Sequence, residues 1–240
     1  MPVKRSKRYQ AIIKGHDKYK ELPITDAIKL LKTKANAKFE ESLEAIFFLN
    51  IDKSKTDQNL RTVVDLPNGN GKKIKVAVIC GGDKIDEAKN SGADKFGSDD
   101  LINEINSGKI NFDILVSTPD MMGKVGKLGK ILGPKGLMPN PKLGTVSKDI
   151  KLTVSAIKKG RTEIKCDKDG NLGLSIGKIK FDDKKLEENF NNVYEVVSKE
   201  KPSGIKGHFI SSVYLSTTMG PSVKLKMGAA VWTENKNHST

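Results

Sequence analysis

Between Ile74 and Thr118 the chain reads strand, helix, helix, strand. IKVAVICGG and FDILVST are continuous apolar runs, and IDEAKNSG and DLINEINSG between them are helical candidates. Apolar runs without alternation suit strands covered on both faces, and helical connections between such strands generate a parallel sheet. On either side the grammar changes. Phe39 to Ile51, with Ile46, Phe47 and Phe48, reads as a buried strand, and Leu60 to Leu66 as a second. RTEIKCDKDGNLGLSIGKIKF reads as two strands about an Asp-Gly turn, and HFISSVYLSTTMGPSVKLKM as a strand pair around Met219-Gly220-Pro221. Leu186, Phe190, Val193 and Val197 repeat at helical spacing within a long helix expected from Asp182 to Lys199. Near the start, Lys4 to Lys20 is a basic helical candidate, and Thr25 is the expected cap of a second helix.

This alternation predicts an α/β protein of two domains. A mixed α+β domain is formed by both chain ends, residues 1–67 plus 160–228. An inserted Rossmann-like parallel α/β domain spans 68–159, and 229–240 is a polar tail.

Lys and Arg number 43 against 29 Asp and Glu, a formal net charge of +14, which favours an anionic partner. The longest apolar runs, Ala45–Leu49 and Val76–Cys80, are far short of the roughly 18 residues of a membrane span. The N-terminus has no apolar stretch of the secretory kind, so a cytoplasmic location is expected. Cys80 and Cys166 stand alone and read as small buried hydrophobes. His16, His208 and His238 are isolated, so neither a metal nor a cofactor is expected. After the strand ending at Cys80 comes Gly81-Gly82-Asp83, with no GxGxxG, and no phosphate-loop motif occurs. A nucleotide-dependent or RNA-modifying enzyme built on the inserted domain is the alternative, and these absences count against it. The primary expectation is a protein that is not an enzyme.

Residues 114–159 carry nine lysines against Asp120 and Asp149. Lys124, Lys127, Lys130, Lys135 and Lys142 among them are interleaved with glycine and proline. Lysine offers a point charge to phosphate, and glycine lets backbone approach closely. Only Arg5, Arg8, Arg61 and Arg161 supply the forked guanidinium used to read base edges in a duplex groove, and aromatics are 5%. Structured RNA, recognised by phosphates, shape and ribose hydroxyls, suits this composition better than duplex DNA.

The passage from Phe112 to Val146, FDILVSTPDMMGKVGKLGKILGPKGLMPNPKLGTV, closely resembles the signature of the bacterial large-subunit ribosomal protein L-one family. KFEESLE at 38–44, IGKIKF at 176–181 and STTMGPSVKL at 216–225 agree in order and spacing. The resemblance implies a ribosomal protein of the mobile stalk that binds large-subunit ribosomal RNA through the domain built from both termini. It also implies help in releasing deacylated tRNA from the exit site, and repression of translation from the protein's own operon mRNA. Carried over by position, the implied RNA-binding residues are Phe39, Ser42, Asp167, Lys168, Ser212, Thr218, Met219 and Gly220. From their charge and spacing, Lys124, Lys127, Lys130 and Lys135 are expected as secondary RNA contacts. Ser42, Ser212 and Thr218 offer hydroxyls to ribose, Phe39 and Met219 apolar surface, Gly220 close approach, and Lys168 a charge for phosphate. Asp167 is expected to orient Lys168 or accept from a ribose or base donor. Cys166 and Gly173 depart from the family, which often has arginine and histidine there.

Overall fold

A computed structural model describes residues 5–17, 19–51, 60–202, 204–205 and 207–226. The tail expected at 229–240 lies outside them. Two compact units result. The first comprises residues 1–61, 66–70 and 164–240, and the second 62–65 and 71–163. The units interleave more finely than a division at 67/68 and 159/160. Buried Asn189 explains one exchange: its side-chain amide donates to the carbonyls of Gly69 (2.9 Å) and Ile176 (2.8 Å) and accepts from Asn68 N–H (3.0 Å), which fastens the 66–70 turn to the first unit.

The first unit holds a five-stranded sheet in the order β1 (Glu21–Leu22), β10 (Ser222–Leu225), β9 (Ile210–Thr217), β2 (Ser42–Leu49), β8 (Asn171–Lys178). β2 pairs antiparallel with both β9 and β8, and β1 pairs parallel with β10. Alternation sorts the strands into two faces. Leu43, Ala45 and Phe47, with Leu172, Leu174, Val213 and Leu215, are buried on one. Helices α2 (Ile24–Lys34) and α8 (Asp183–Lys199) cover that face with Ile28, Leu31, Leu186, Phe190 and Val193, and Phe190 stacks on Phe47 at 5.9 Å. The opposite face carries Glu44, Ile46, Phe48, Ser212, Tyr214 and Ser216, all half-buried or exposed.

The second unit is built on the parallel sheet β5 (Lys95–Gly97), β4 (Val76–Ile79), β6 (Ile114–Ser117). β4 is buried on both faces. Ala77, Ile79 and Leu115 meet Leu101 and Ile105 of α4 (Asp99–Asn106), Val125 of α5 (Met122–Gly126) and Leu132 of α6 (Gly129–Leu132). Val76, Val78 and Val116 meet Ala88 of α3 (Ile85–Asn90) and Ile150, Val154 and Ile157 of α7 (Ile150–Lys159). The unbroken apolar character of VAVIC, Val76–Cys80, follows from this double cover. Cys80 and Cys166 are buried free thiols, and burial pushes both up from the ordinary thiol range.

Three local expectations change. The strands flanking the Asp-Gly turn are not a hairpin pair: β7 (Arg161–Lys165) pairs with β3 (Arg61–Asp65), while β8 joins the five-stranded sheet. Thr25 is not a cap. α2 begins at Ile24 with Pro23 at the cap position, whose fixed φ suits a helix entrance. The N-terminal helix α1 is shorter than its basic run, Lys7–Ile13, with the Ser6 hydroxyl accepting from Tyr9 N–H. The glycine- and lysine-rich stretch contains α5 and α6, because Met121, Val125, Leu128 and Leu132 recur at helical spacing and are buried.

Candidate nucleic-acid interface

At one end of the first unit's sheet three segments converge. The loop between β9 and β10 carries Thr218, Met219 and Gly220, the entrance of β2 carries Phe39 to Ser42, and α1 lies alongside. Thr218 N–H donates to the Ser42 carbonyl at 3.2 Å, and the Thr218 hydroxyl accepts from Ser42 N–H at 3.0 Å. Glu41 is 2% exposed, and its carboxylate accepts from Ala37 N–H (3.1 Å) and Met219 N–H (3.0 Å). One buried anion thus ties the loop bearing Phe39 to the loop bearing Met219. Arg8 of α1 donates to the Met219 carbonyl and to Asn36 Oδ1, both at 2.9 Å, and a ring nitrogen of His16 meets the Ser222 carbonyl at 2.9 Å.

These braces leave apolar groups outward. Phe39 is 54% exposed and Met219 46%, unusual for such side chains. Arg5, Ser6, Arg8, Tyr9 and Thr218–Gly220 line an open groove of about 390 Å³, with the Arg5 guanidinium 5.0 Å over the Tyr9 ring. The groove joins two guanidinium groups, which answer phosphate, to hydroxyls and a loop able to approach a sugar closely. A Cβ at Gly220 would fall 2.2 Å from Thr217 Oγ1, so the loop's path demands glycine.

The expected residues divide. Phe39, Ser42 and Thr218–Gly220 are brought together. Ser42 is nearly buried, and its hydroxyl accepts from Lys178 Nζ at 2.9 Å. Ser212 lies at the other end of β9, opposite Phe48, and Asn171 flanks Phe48 on the β8 side. Asp167 and Lys168 precede Asn171 in that same end of the sheet. From Ser42 to Phe48 is about 20 Å at roughly 3.3 Å per residue. The Asp167 carboxylate accepts from Asp169 N–H (2.9 Å), Asn171 N–H (2.7 Å) and the Asn171 side-chain amide (3.0 Å). These bonds, that from Asn171 N–H foremost, hold its pKa below the ordinary value, and Asp167 shapes the turn rather than Lys168, which is exposed. Lys124, Lys127, Lys130 and Lys135 belong to the second unit. Lys124 pairs with Asp99 at 2.7 Å, whereas Lys127, Lys130 and Lys135 are exposed and form no ion pair among the described residues. Among the described residues no cluster of His, Cys, Asp or Glu forms a metal site, and no helix is long and apolar enough to cross a membrane.

Sequence reasoning assigned no role to Arg5, Arg8, Glu41 or Lys178. The signals were present: two of the chain's four arginines fall in the first eight residues, and Glu41 and Lys178 sit inside KFEESLE and IGKIKF.

The family model described as the ribosomal protein L1p/L10e family matches residues 30–221. Similar curated proteins named large ribosomal subunit protein uL1 include that of Fervidobacterium nodosum, 48% identical over 225 residues, covering 93% of this chain and 96% of the relative. The Kosmotoga olearia protein is 50% identical over 222 residues (92% and 96%), and that of Persephonella marina 50% over 227 (93% and 94%). The enzymatic alternative falls with these matches. Identity near one half with proteins of almost the same length, together with the family match across the signature segments, shows that the chain belongs to the ribosomal protein L1p/L10e family, structural proteins of the ribosome and not enzymes.

Proposed function

We propose that this protein, a structural constituent of the large ribosomal subunit in the cytoplasm, grips folded ribosomal RNA with the first unit. On this reading it helps release deacylated tRNA from the exit site and represses its own operon mRNA by offering that RNA the same surface. The observation that carries the reading is the braced loop: Glu41, Ser42 and Arg8 hold Thr218–Gly220 in one conformation while Phe39 is exposed and Met219 lines the groove with Arg5. A surface organised in advance loses less conformational freedom on binding. Phe39, Ser42, Met219 and Gly220 form its centre, and Asp167, Lys168 and Ser212 extend it. Repression and tRNA release draw support from the family resemblance.

The test is binding of large-subunit ribosomal RNA against competitor duplex DNA. Preference for the RNA supports the reading, and equal displacement by DNA overturns it. Thr218→Val keeps the shape but removes the acceptor for Ser42 N–H. That bond exists with and without RNA, so its loss lowers stability; RNA affinity should fall by roughly 1–3 kcal/mol through the ribose group the hydroxyl bonds in the complex, left unpaired in the variant. Replacing Lys127 and Lys130 by glutamine should flatten the dependence of log Kd on log salt by about one unit for each phosphate no longer neutralised, measured by titration at several salt concentrations. An unchanged slope would place both lysines away from RNA.

A further inference from the structure

The face of the five-stranded sheet opposite α2 and α8 has a chemistry its role as a support does not require. Phe48 is 39% exposed, and its ring meets Tyr214 edge-on at 5.4 Å, on the neighbouring strand. Ser212 and Asn171 flank Phe48 across the ladder, and Tyr214 and Gly173 flank Ile46. Gly173 contributes no side chain, and a Cβ built there would meet nothing within 4 Å. The result is a partly exposed aromatic patch, open over Gly173, with the Ser212 hydroxyl and the Asn171 amide, which also donates to Asp167, at one margin.

We infer that this patch receives one unstacked base of the bound RNA, through Phe48 and Tyr214. Three observations favour a base over a protein side chain. The patch starts at the Ser212–Asn171 end, where Phe48 pairs with both, and runs through Tyr214 and Ile46 toward the Ser42–Thr218 end, so a ribonucleotide strand touching both ends passes over it. The margin pairs donor and acceptor groups with aromatic faces, the combination that stacks a base and bonds its edge. The chain carries an excess of 14 positive charges, which draws a polyanion to it. The inference rests on the RNA reading above and adds a stacking contact to it.

The experiment measures Kd for large-subunit ribosomal RNA with Phe48→Ala, Phe48→Trp and Gly173→Leu, with thermal melting of each variant as a control for folding. Phe48→Ala should weaken binding about 5- to 150-fold, the range for loss of one base stack. Phe48→Trp should restore binding to near the wild-type value, a rescue that a merely structural Phe48 would not show. Gly173→Leu, whose Cβ meets nothing within 4 Å and which adds a bulky side chain beside Ile46, should weaken binding to a similar degree and serves if Phe48→Ala fails to fold. Affinities of folded Phe48→Ala and Gly173→Leu within about twofold of wild type would overturn the inference, and would leave this face to a protein partner or to solvent. In that case weakened binding in Thr218→Val would show the RNA reading intact. If Thr218→Val also binds normally, the reading fails with it.

Discussion

Gly220→Val should lower RNA affinity about tenfold to a hundredfold and destabilise the first unit by roughly 1–3 kcal/mol, the usual range for forcing extra atoms into a packed site. The added Cβ alone would come 2.2 Å from Thr217 Oγ1, so either the buried, β-branched Thr217 changes rotamer or the loop moves. Movement of the backbone of residues 218–220 displaces Thr218 from its bonds with Ser42 and Met219 from the Glu41 carboxylate. Gly220→Ala should move both quantities in the same direction. Titration of ribosomal RNA together with denaturant unfolding checks the pair. Wild-type affinity in Gly220→Ala would mean that the loop's path is irrelevant to binding.

Glu41→Ala is expected to be the more damaging change to stability. It strands two part-buried backbone donors, Ala37 N–H and Met219 N–H, each costing about 1–2 kcal/mol, and removes a buried side chain. A loss of about 2–4 kcal/mol lowers Tm by about 5–15 °C for a domain of this size. Glu41→Gln retains volume but presents an NH₂ where the second N–H needs an acceptor, so it should recover only part of the loss. RNA affinity should fall with both variants, even at temperatures where they remain folded, because the Phe39 and Met219 loops would no longer share an anchor. Melting temperatures and affinities near those of wild type for Glu41→Ala would show that the carboxylate is incidental.

The fold was largely legible because its strongest signals are one-dimensional. The apolar runs at 74–80 and 114–117 announce strands covered on both faces, and the spacing of Leu186, Phe190, Val193 and Val197 announces α8. Pairing was less legible. The Asp-Gly turn marks a reversal, but nothing local says that β7 must leave to join β3 while β8 finds β2. α7 is amphipathic, but its lysines and its exposed Leu152 obscure the stripe of Ile150, Val154 and Ile157 that packs on β4 and β6. At the candidate interface, residue type revealed the outward groups Phe39, Met219 and Gly220. The braces were hidden, since Glu41 and Arg8 act through backbone atoms 178 and 211 positions away. Asp167 shows the converse. A carboxylate beside a lysine invites a pairing argument, but its oxygens are consumed by the turn that contains it.

β2 occupies an interior place in the sheet, and both its neighbours, β8 and β9, belong to the last third of the polypeptide. During synthesis the first fifty residues therefore wait, apolar edges unsatisfied, while the intervening segment emerges and closes its own three strands and helices. The inserted unit can be finished before the older one has begun to pair, and an arrest of translation before β8 would leave a completed insert attached to a sticky, partnerless strand.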